Sequence, residues 1–236
     1  VMEPLALLVA VSAPLLPFPR ELPRGGPAAK AALGDVLGNE GFMASVLNNV
    51  TYQVPFSYLT AFAAAYVERV LGAEGWLAVL AYAPFYATSL ASRLIMTLRP
   101  PRDLLVYMTS APLVTVAGLA LAWASKSLAL FYVAMAVLGI PHGMTYTLSV
   151  LAISRTFPKD RLNAANSYFF SIMMILGSAL PAALGVMADA IGYRLVFLAL
   201  IPMVVGVLAA TLYFARRASA LRSPYIAARS PASQGA

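Results

Sequence analysis

Six apolar runs divide the chain, and polar or basic breaks separate them. The runs cover residues 41–70, 76–98, 104–124, 128–156, 162–188 and 195–215. A bilayer core needs about 17–25 residues of helix to cross it. Each run supplies that length, and the longer ones allow tilt without fixing an angle. The breaks carry helix-stopping and charged residues: Leu71-Gly72-Ala73-Glu74-Gly75, then Arg99-Pro100-Pro101-Arg102-Asp103, then Phe157-Pro158-Lys159-Asp160-Arg161, then Ile191-Gly192-Tyr193-Arg194. The boundary at 125–127 is the weakest. No run alternates apolar and polar positions as the strands of a membrane barrel do. Only helices and closed barrels satisfy their backbone hydrogen bonds in lipid. The pattern therefore predicts an all-α, polytopic membrane helix bundle with six transmembrane helices over residues 41–215.

The flanks read differently. Residues 1–19 hold a short apolar stub rich in Leu, Val and Pro. It is too short to cross the bilayer core, and it lacks the basic start and the small-residue cleavage site of a signal peptide. It reads as the remnant of a preceding transmembrane helix. Residues 20–40 form a Pro- and Gly-rich linker, in which 28–37 have the makings of a short interfacial helix. Residues 216–236 are rich in Ser, Ala and Arg and are expected to form a disordered tail. Composition sharpens the picture. Of 236 residues, 61% are hydrophobic and 11% charged, against roughly 25% charged in soluble domains. A soluble fold of this size would lack the polar surface to cover itself.

A net charge of +7 raises the question of nucleic acid. The basic residues lie in short clusters between apolar runs, not along one face with interleaved aromatics, and this excludes a nucleic-acid partner. Their distribution follows the alternation of spans instead. Arg20, Arg24, Lys30, Arg93, Arg99, Arg102, Arg155, Lys159, Arg161, Arg216, Arg217, Arg222 and Arg229 fall on one side; Arg69, Lys126 and Arg194 fall on the other. The cytoplasmic side carries the excess of Lys and Arg. The expected setting is the cell membrane, with linker and carboxy terminus cytoplasmic. Arg93, near the inner end of its span, is expected to snorkel to the headgroups.

Polar side chains at depth mark a solute path or a helix contact. Two spans hold most of them. In the first, Asn49, Tyr52, Gln53 and Phe56 fall at i, i+3, i+4 and i+7, on one face. In the fourth, His142, Thr145, Tyr146 and Ser149 repeat that spacing. These spans open the first and second sets of three, which is the arrangement of two inverted three-helix repeats with a site at their interface. His142 is the sole histidine. Its neutral ring both donates and accepts, and no acid lies at similar depth to partner it. It serves either solute contact or a bond to a neighbouring helix. Gly177, Pro181 and Gly185 recur every four residues as a packing face. Pro84, Pro112, Pro181 and Pro202 lie inside or near spans and allow kinks.

Enzyme chemistry has no foothold. There is no Gly-x-Ser-x-Gly elbow, no His-Glu-x-x-His and no P-loop. The absence of cysteine excludes thiolate metal sites, and no acid or histidine cluster has ligand spacing. No cofactor, metal or catalytic residue is expected.

Residues 157–197 carry a resemblance. Phe157-Pro158-Lys159-Asp160-Arg161, Ala164-Ala165-Asn166, Leu176-Gly177-Ser178-Ala179-Leu180-Pro181, Gly185-Val186-Met187-Ala188-Asp189 and Gly192-Tyr193-Arg194 with Phe197 resemble the penultimate helix and flanks of the major facilitator superfamily. Gly139-Ile140-Pro141-His142-Gly143 is similar to its helix two before the last. The resemblance implies the carboxy-terminal half of a twelve-helix secondary transporter, in which two halves rock about a central site by alternating access. It implies as partners a small-molecule solute, the lipid bilayer, and an amino-terminal half or a second copy. It also implies that the first and fourth helices of the half line the cavity. Asn49, Tyr52, Gln53, His142, Tyr146 and Ser149 are accordingly the expected solute-binding residues. The loop at Arg93 to Asp103 departs from the family pattern, lacking its Gly and the acid before Arg93. The reading from another class is a six-helix structural or assembly protein whose polar stripes bind partner helices.

Overall fold

The computed structural model of the chain describes residues 33–222. A short helix, α1 (Leu33–Leu37), precedes α2 (Glu40–Arg69), α3 (Leu77–Leu98), α4 (Leu104–Ala124), α5 (Leu128–Thr156), α6 (Lys159–Ile191) and α7 (Tyr193–Arg217). A single turn, α8 (Ser219–Arg222), follows. Each apolar run forms one helix. No strand occurs among the described residues. The stub at 1–19, the first part of the linker and residues 223–236 lie outside the described residues. Of the interfacial helix expected at 28–37, the described part is α1. Residues 216–222, read as the start of the tail, are largely helical, because α7 runs on to Arg217 and α8 follows it.

Local chemistry sets the ends. Asn39 Oδ1 accepts the Phe42 N–H at 3.1 Å and starts α2. Asp103 Oδ1 accepts from Leu105 N at 2.9 Å and Val106 N at 3.4 Å and starts α4. Ser127 Oγ accepts from Leu130 N at 3.3 Å, so the weakest sequence boundary is a capped helix start. Each of these oxygens satisfies an amide that the helix leaves unpaired. Gly192 has φ of +82° and separates α6 from α7, a conformation that side-chain-bearing residues rarely adopt.

Side-chain contacts give the helix directions. At one end of the bundle Glu40 pairs with Arg217 at 2.5 Å, and the Arg155 guanidinium donates to Pro101 O at 3.0 Å. These join the start of α2, the end of α7, the loop before α4 and the end of α5. At the other end Tyr66 bonds the Ser125 hydroxyl at 2.7 Å, Arg194 donates to Ser125 O at 2.7 Å, and Arg69 donates to the Tyr193 hydroxyl at 3.0 Å. Tyr132, near the start of α5, donates to Leu77 O at the start of α3 at 2.7 Å. Helices α2, α4 and α6 thus leave the first end, and α3, α5 and α7 return to it.

The packing has a symmetry that follows from these directions. The main pairs are α3 on α5, α6 on α2, α2 on α7, α5 on α4, α2 on α5 and α4 on α7. Exchanging α2 with α5, α3 with α6 and α4 with α7 maps this set onto itself. The two units run in opposite senses, so α2–α4 and α5–α7 are inverted three-helix repeats.

Helices α4, α5, α6 and α7 are each long and apolar enough to cross a membrane. Helix α2 is more polar in its middle, yet its 30 residues reach from one end of the bundle to the other. Large apolar side chains on α3 and α6 face outward; Leu98 is 79% exposed and Met174 is 76% exposed. In water such a surface is a liability; against acyl chains it is not. The fold is an all-α membrane helix bundle. Trp76 and Trp123 are exposed near the end that carries few basic residues, where indole rings favour the headgroup region. Inside that end, Tyr58, Tyr66, Phe131 and Phe197 form a buried aromatic core, with ring centroids 5.1 Å apart for Tyr66–Phe197. The opposite end packs on smaller or flexible residues such as Ala44, Met96, Met108 and Ala152.

Candidate functional site

The two polar stripes meet halfway along α2 and α5, which pack together. Asn49, Tyr52, Gln53 and Phe56 from α2, His142, Thr145 and Tyr146 from α5, and Arg93 from α3 line a cavity of about 140 Å³. Five of the six expected solute-binding residues therefore share one cavity. The sixth, Ser149, is not among the lining residues. It is buried one turn further on, where its hydroxyl accepts from Asn48 Nδ2 at 2.9 Å. The same amide donates to Thr145 O at 3.0 Å. Asn48 and Ser149 thus clamp α2 to α5 beside the cavity.

His142 sits in a nest of rings. Its centroid lies 4.6 Å from Phe56, 4.9 Å from Phe85, 5.5 Å from Tyr52 and 6.1 Å from Tyr86. Offset stacking and edge contacts at such spacings hold a ring in orientation. Ser89 fixes the rotation further, with its hydroxyl 2.8 Å from His142 Nδ1. That bond goes to a neighbouring helix, the bland role open from the sequence. The ring nevertheless lines the cavity, so the two roles share one residue.

Polar satisfaction is incomplete here. The Tyr52 hydroxyl is buried without a hydrogen-bond partner, and so is Asn48 Oδ1. Burying an unpaired hydroxyl costs stability, and such groups in native structures call for an explanation. Asn49 Nδ2 finds only the Met173 sulfur on α6 at 2.9 Å, a weak acceptor.

Glycine brings the helices close enough for this geometry. A Cβ on Gly139 would overlap the Phe85 carbonyl, and one on Gly143 would overlap the Ser89 carbonyl. Helix α5 therefore lies backbone to backbone on α3, at the level of His142. Thr88 adds a hydroxyl bond to Ala136 O at 2.7 Å. The small-residue face read on α6 turns toward α2: a Cβ on Gly177 would meet Gln53 Nε2 at 3.3 Å, and one on Gly185 would meet Phe62 at 3.2 Å.

Phe56 and Thr145, stripe residues outside the expected six, also line the cavity. From outside the stripes come Arg93, which lines it, and Ser89, which holds His142, and neither was singled out as a site residue from the sequence. A helical signal for both exists. Phe85, Ser89 and Arg93 are spaced i, i+4 and i+8, so one face of α3 carries all three. The first two touch His142, and the third reaches the cavity one turn further on. Arg93 is solvent-exposed, yet it belongs to this face and is not solely a headgroup anchor.

Comparison with known proteins agrees with this architecture. A drug efflux pump, JefA, of Mycobacterium tuberculosis is 37% identical over 78 residues, which is 33% of this chain and 15% of the pump. The match is the same for the CDC 1551 / Oshkosh and the ATCC 25618 / H37Rv strains. The aligned stretch thus spans well under two thirds of that relative. The sequence profile of the Major Facilitator Superfamily matches residues 101–233, more than half of the chain. Six helices in two inverted triplets, a polar cavity between the first and fourth, and this profile match together establish that the chain belongs to the Major Facilitator Superfamily.

Proposed function

We propose that this chain is the carboxy-terminal half of a secondary active transporter, which moves a small solute across the cell membrane by alternating access. The observation that carries the reading is the cavity at mid-depth between α2 and α5, the leading helices of the two inverted units. A site at the repeat interface can be exposed to either side by rocking one unit against another. Buried polar groups at that depth, unpaired at Tyr52, fit a solute site better than glue, because helix contacts have no need of an unsatisfied hydroxyl. The concentration of arginine and lysine at one end supports placing that end, with the linker and the carboxy terminus, in the cytoplasm. The complementary half is an amino-terminal unit of the same protein or a second copy of this one. The similarity to a drug efflux pump favours amphiphilic, drug-like solutes. The chemistry is conformational and non-enzymatic: binding, occlusion and release.

The test is counterflow. Protein purified from its own cells is reconstituted in liposomes and assayed with ethidium, fluorescein and Nile red as cationic, anionic and neutral probes. Exchange of at least one dye above empty liposomes is expected, with loss of at least tenfold on His142→Ala. No exchange of any dye, or unchanged exchange by the variant across the pH range, overturns the reading and leaves a structural or assembly role.

A further inference from the structure

The cavity has a charge character that the stripes alone do not convey. Among its lining residues Arg93 is the one permanently charged group, and none is acidic. The described acids lie elsewhere. Asp35 is on α1, Glu40 pairs with Arg217, Glu68 and Glu74 flank the α2–α3 turn, Asp103 caps α4, Asp160 opens α6 and Asp189 ends it. Arg93 forms no ion pair among the described residues. A guanidinium stays protonated at any working pH and presents a planar fork of donors suited to carboxylate. It stands on the α3 face that also holds Ser89 against His142.

The same cavity has an aromatic lining. Tyr52 and Phe56 from α2 lie with His142 around the cavity, with Phe56 and His142 stacked at 4.6 Å and 29° between planes. Such a wall accepts a flat ring by stacking or edge contact. The remaining lining groups are amides, hydroxyls and the Tyr52 phenol, whose buried hydroxyl lacks a partner. A single cation, aromatic rings and neutral hydrogen-bonding groups around one cavity describe a complementary ligand.

We propose that the cavity binds an aromatic organic anion, its ring against Tyr52, Phe56 and His142 and its carboxylate or equivalent group on Arg93. The assignment rests on the reading of this cavity as a solute site and names the class of solute. It excludes organic cations as preferred ligands, since a cation would face Arg93 with no acid to offset it.

Three molecules of matched shape test it: 3-phenylpropionate, 3-phenylpropanamide and 3-phenylpropylammonium. Their binding to the purified protein in phosphatidylcholine nanodiscs is measured by calorimetry. The propionate is expected to bind at least about tenfold tighter than the amide, the order of a charge-assisted hydrogen bond, and the ammonium is expected to bind weakest. Arg93→Gln should abolish the preference for the propionate over the amide, and Arg93→Lys should retain part of it. Equal or better binding of the amide or ammonium overturns the proposal. So does a propionate preference that survives Arg93→Gln, the result expected if Arg93 only snorkels, and so does failure of all three to bind. The dye assay separates the two readings: exchange of ethidium alone leaves transport standing and removes the anionic class, whereas Arg93-dependent propionate binding without dye exchange does the reverse.

Discussion

Asn48 and Tyr52 lie one turn apart on α2 and differ in what they touch. Asn48 gives both amide protons to α5, at Thr145 and Ser149. Tyr52 is equally buried, and its hydroxyl bonds nothing. Removing each should therefore have opposite effects. Asn48→Leu deletes two interhelical bonds, each about 0.6 kcal/mol in membrane proteins, and should lower thermal stability in detergent by about 1 kcal/mol. Tyr52→Phe deletes an unsatisfied hydroxyl and should leave stability unchanged or raise it, while weakening solute binding. Stability lost by Tyr52→Phe to the same degree as by Asn48→Leu would show that the hydroxyl has a structural partner, and its place in a solute site would fall.

Among the elements, the α3–α5 pair is the tightest seam near the site. Gly139, one turn before His142, and Gly143, the residue after it, permit it, and the backbone of α3 fills the space that side chains would take. Loss of a glycine should act on the site through the seam. Gly143→Leu is expected to push α5 from α3, to cost about 1–3 kcal/mol of stability as overpacked cores do, and to break the Ser89–His142 bond. The measurements are thermal unfolding and the histidine ring resonance. A variant as stable as the parent, with an unchanged ring signal, would refute the close approach. Helix α6 has a looser setting. It buries only residues such as Ala165, Phe169, Met173, Leu184 and Ala188, and its outward residues Met174, Ile175 and Val186 are exposed. With few interior contacts to break, α6 is the element best placed to move relative to the rest.

For the whole molecule, the two ends differ in chemistry as well as in charge. The basic end is tied by the exposed Glu40–Arg217 pair, which contributes little energy on its own because water and salt screen it. The other end is closed by the aromatic core and by Tyr66 and Arg194 on the last carbonyls of α4. There the helix terminus favours a cation and its free carbonyls gain donors. The absence of cysteine makes topology simple to read, since any introduced thiol is the only one. Cysteines replacing Arg102 or Lys159 should react with a membrane-impermeant maleimide from the cytoplasmic side alone, and those replacing Gly72 or Lys126 from the opposite side alone. Labelling of Arg102→Cys and Gly72→Cys from one and the same side would remove the alternation of spans.

The sequence by itself determined the helices and their alternation. These are local or one-dimensional properties: apolar length against bilayer thickness, and basic residues sorted by loop. It also brought out the two stripes, because period 3.6 places Asn49 with Tyr52 and His142 with Tyr146 on single faces. Which stripe residues face a cavity and which face a neighbouring helix was settled only by packing. Ser149 and Tyr146 share a stripe, yet one is clamped by Asn48 and the other lines the cavity. A helical face is broad enough to touch both a helix and a cavity, and periodicity cannot divide it. Arg93 shows the same limit. Its charge and its place near a span end pointed to the headgroups, and only the docking of α3 onto α5 through Gly139 and Gly143 turned its face toward the site. That docking depends on contacts between residues some fifty positions apart, such as Ser89 and His142, and no local pattern contains them.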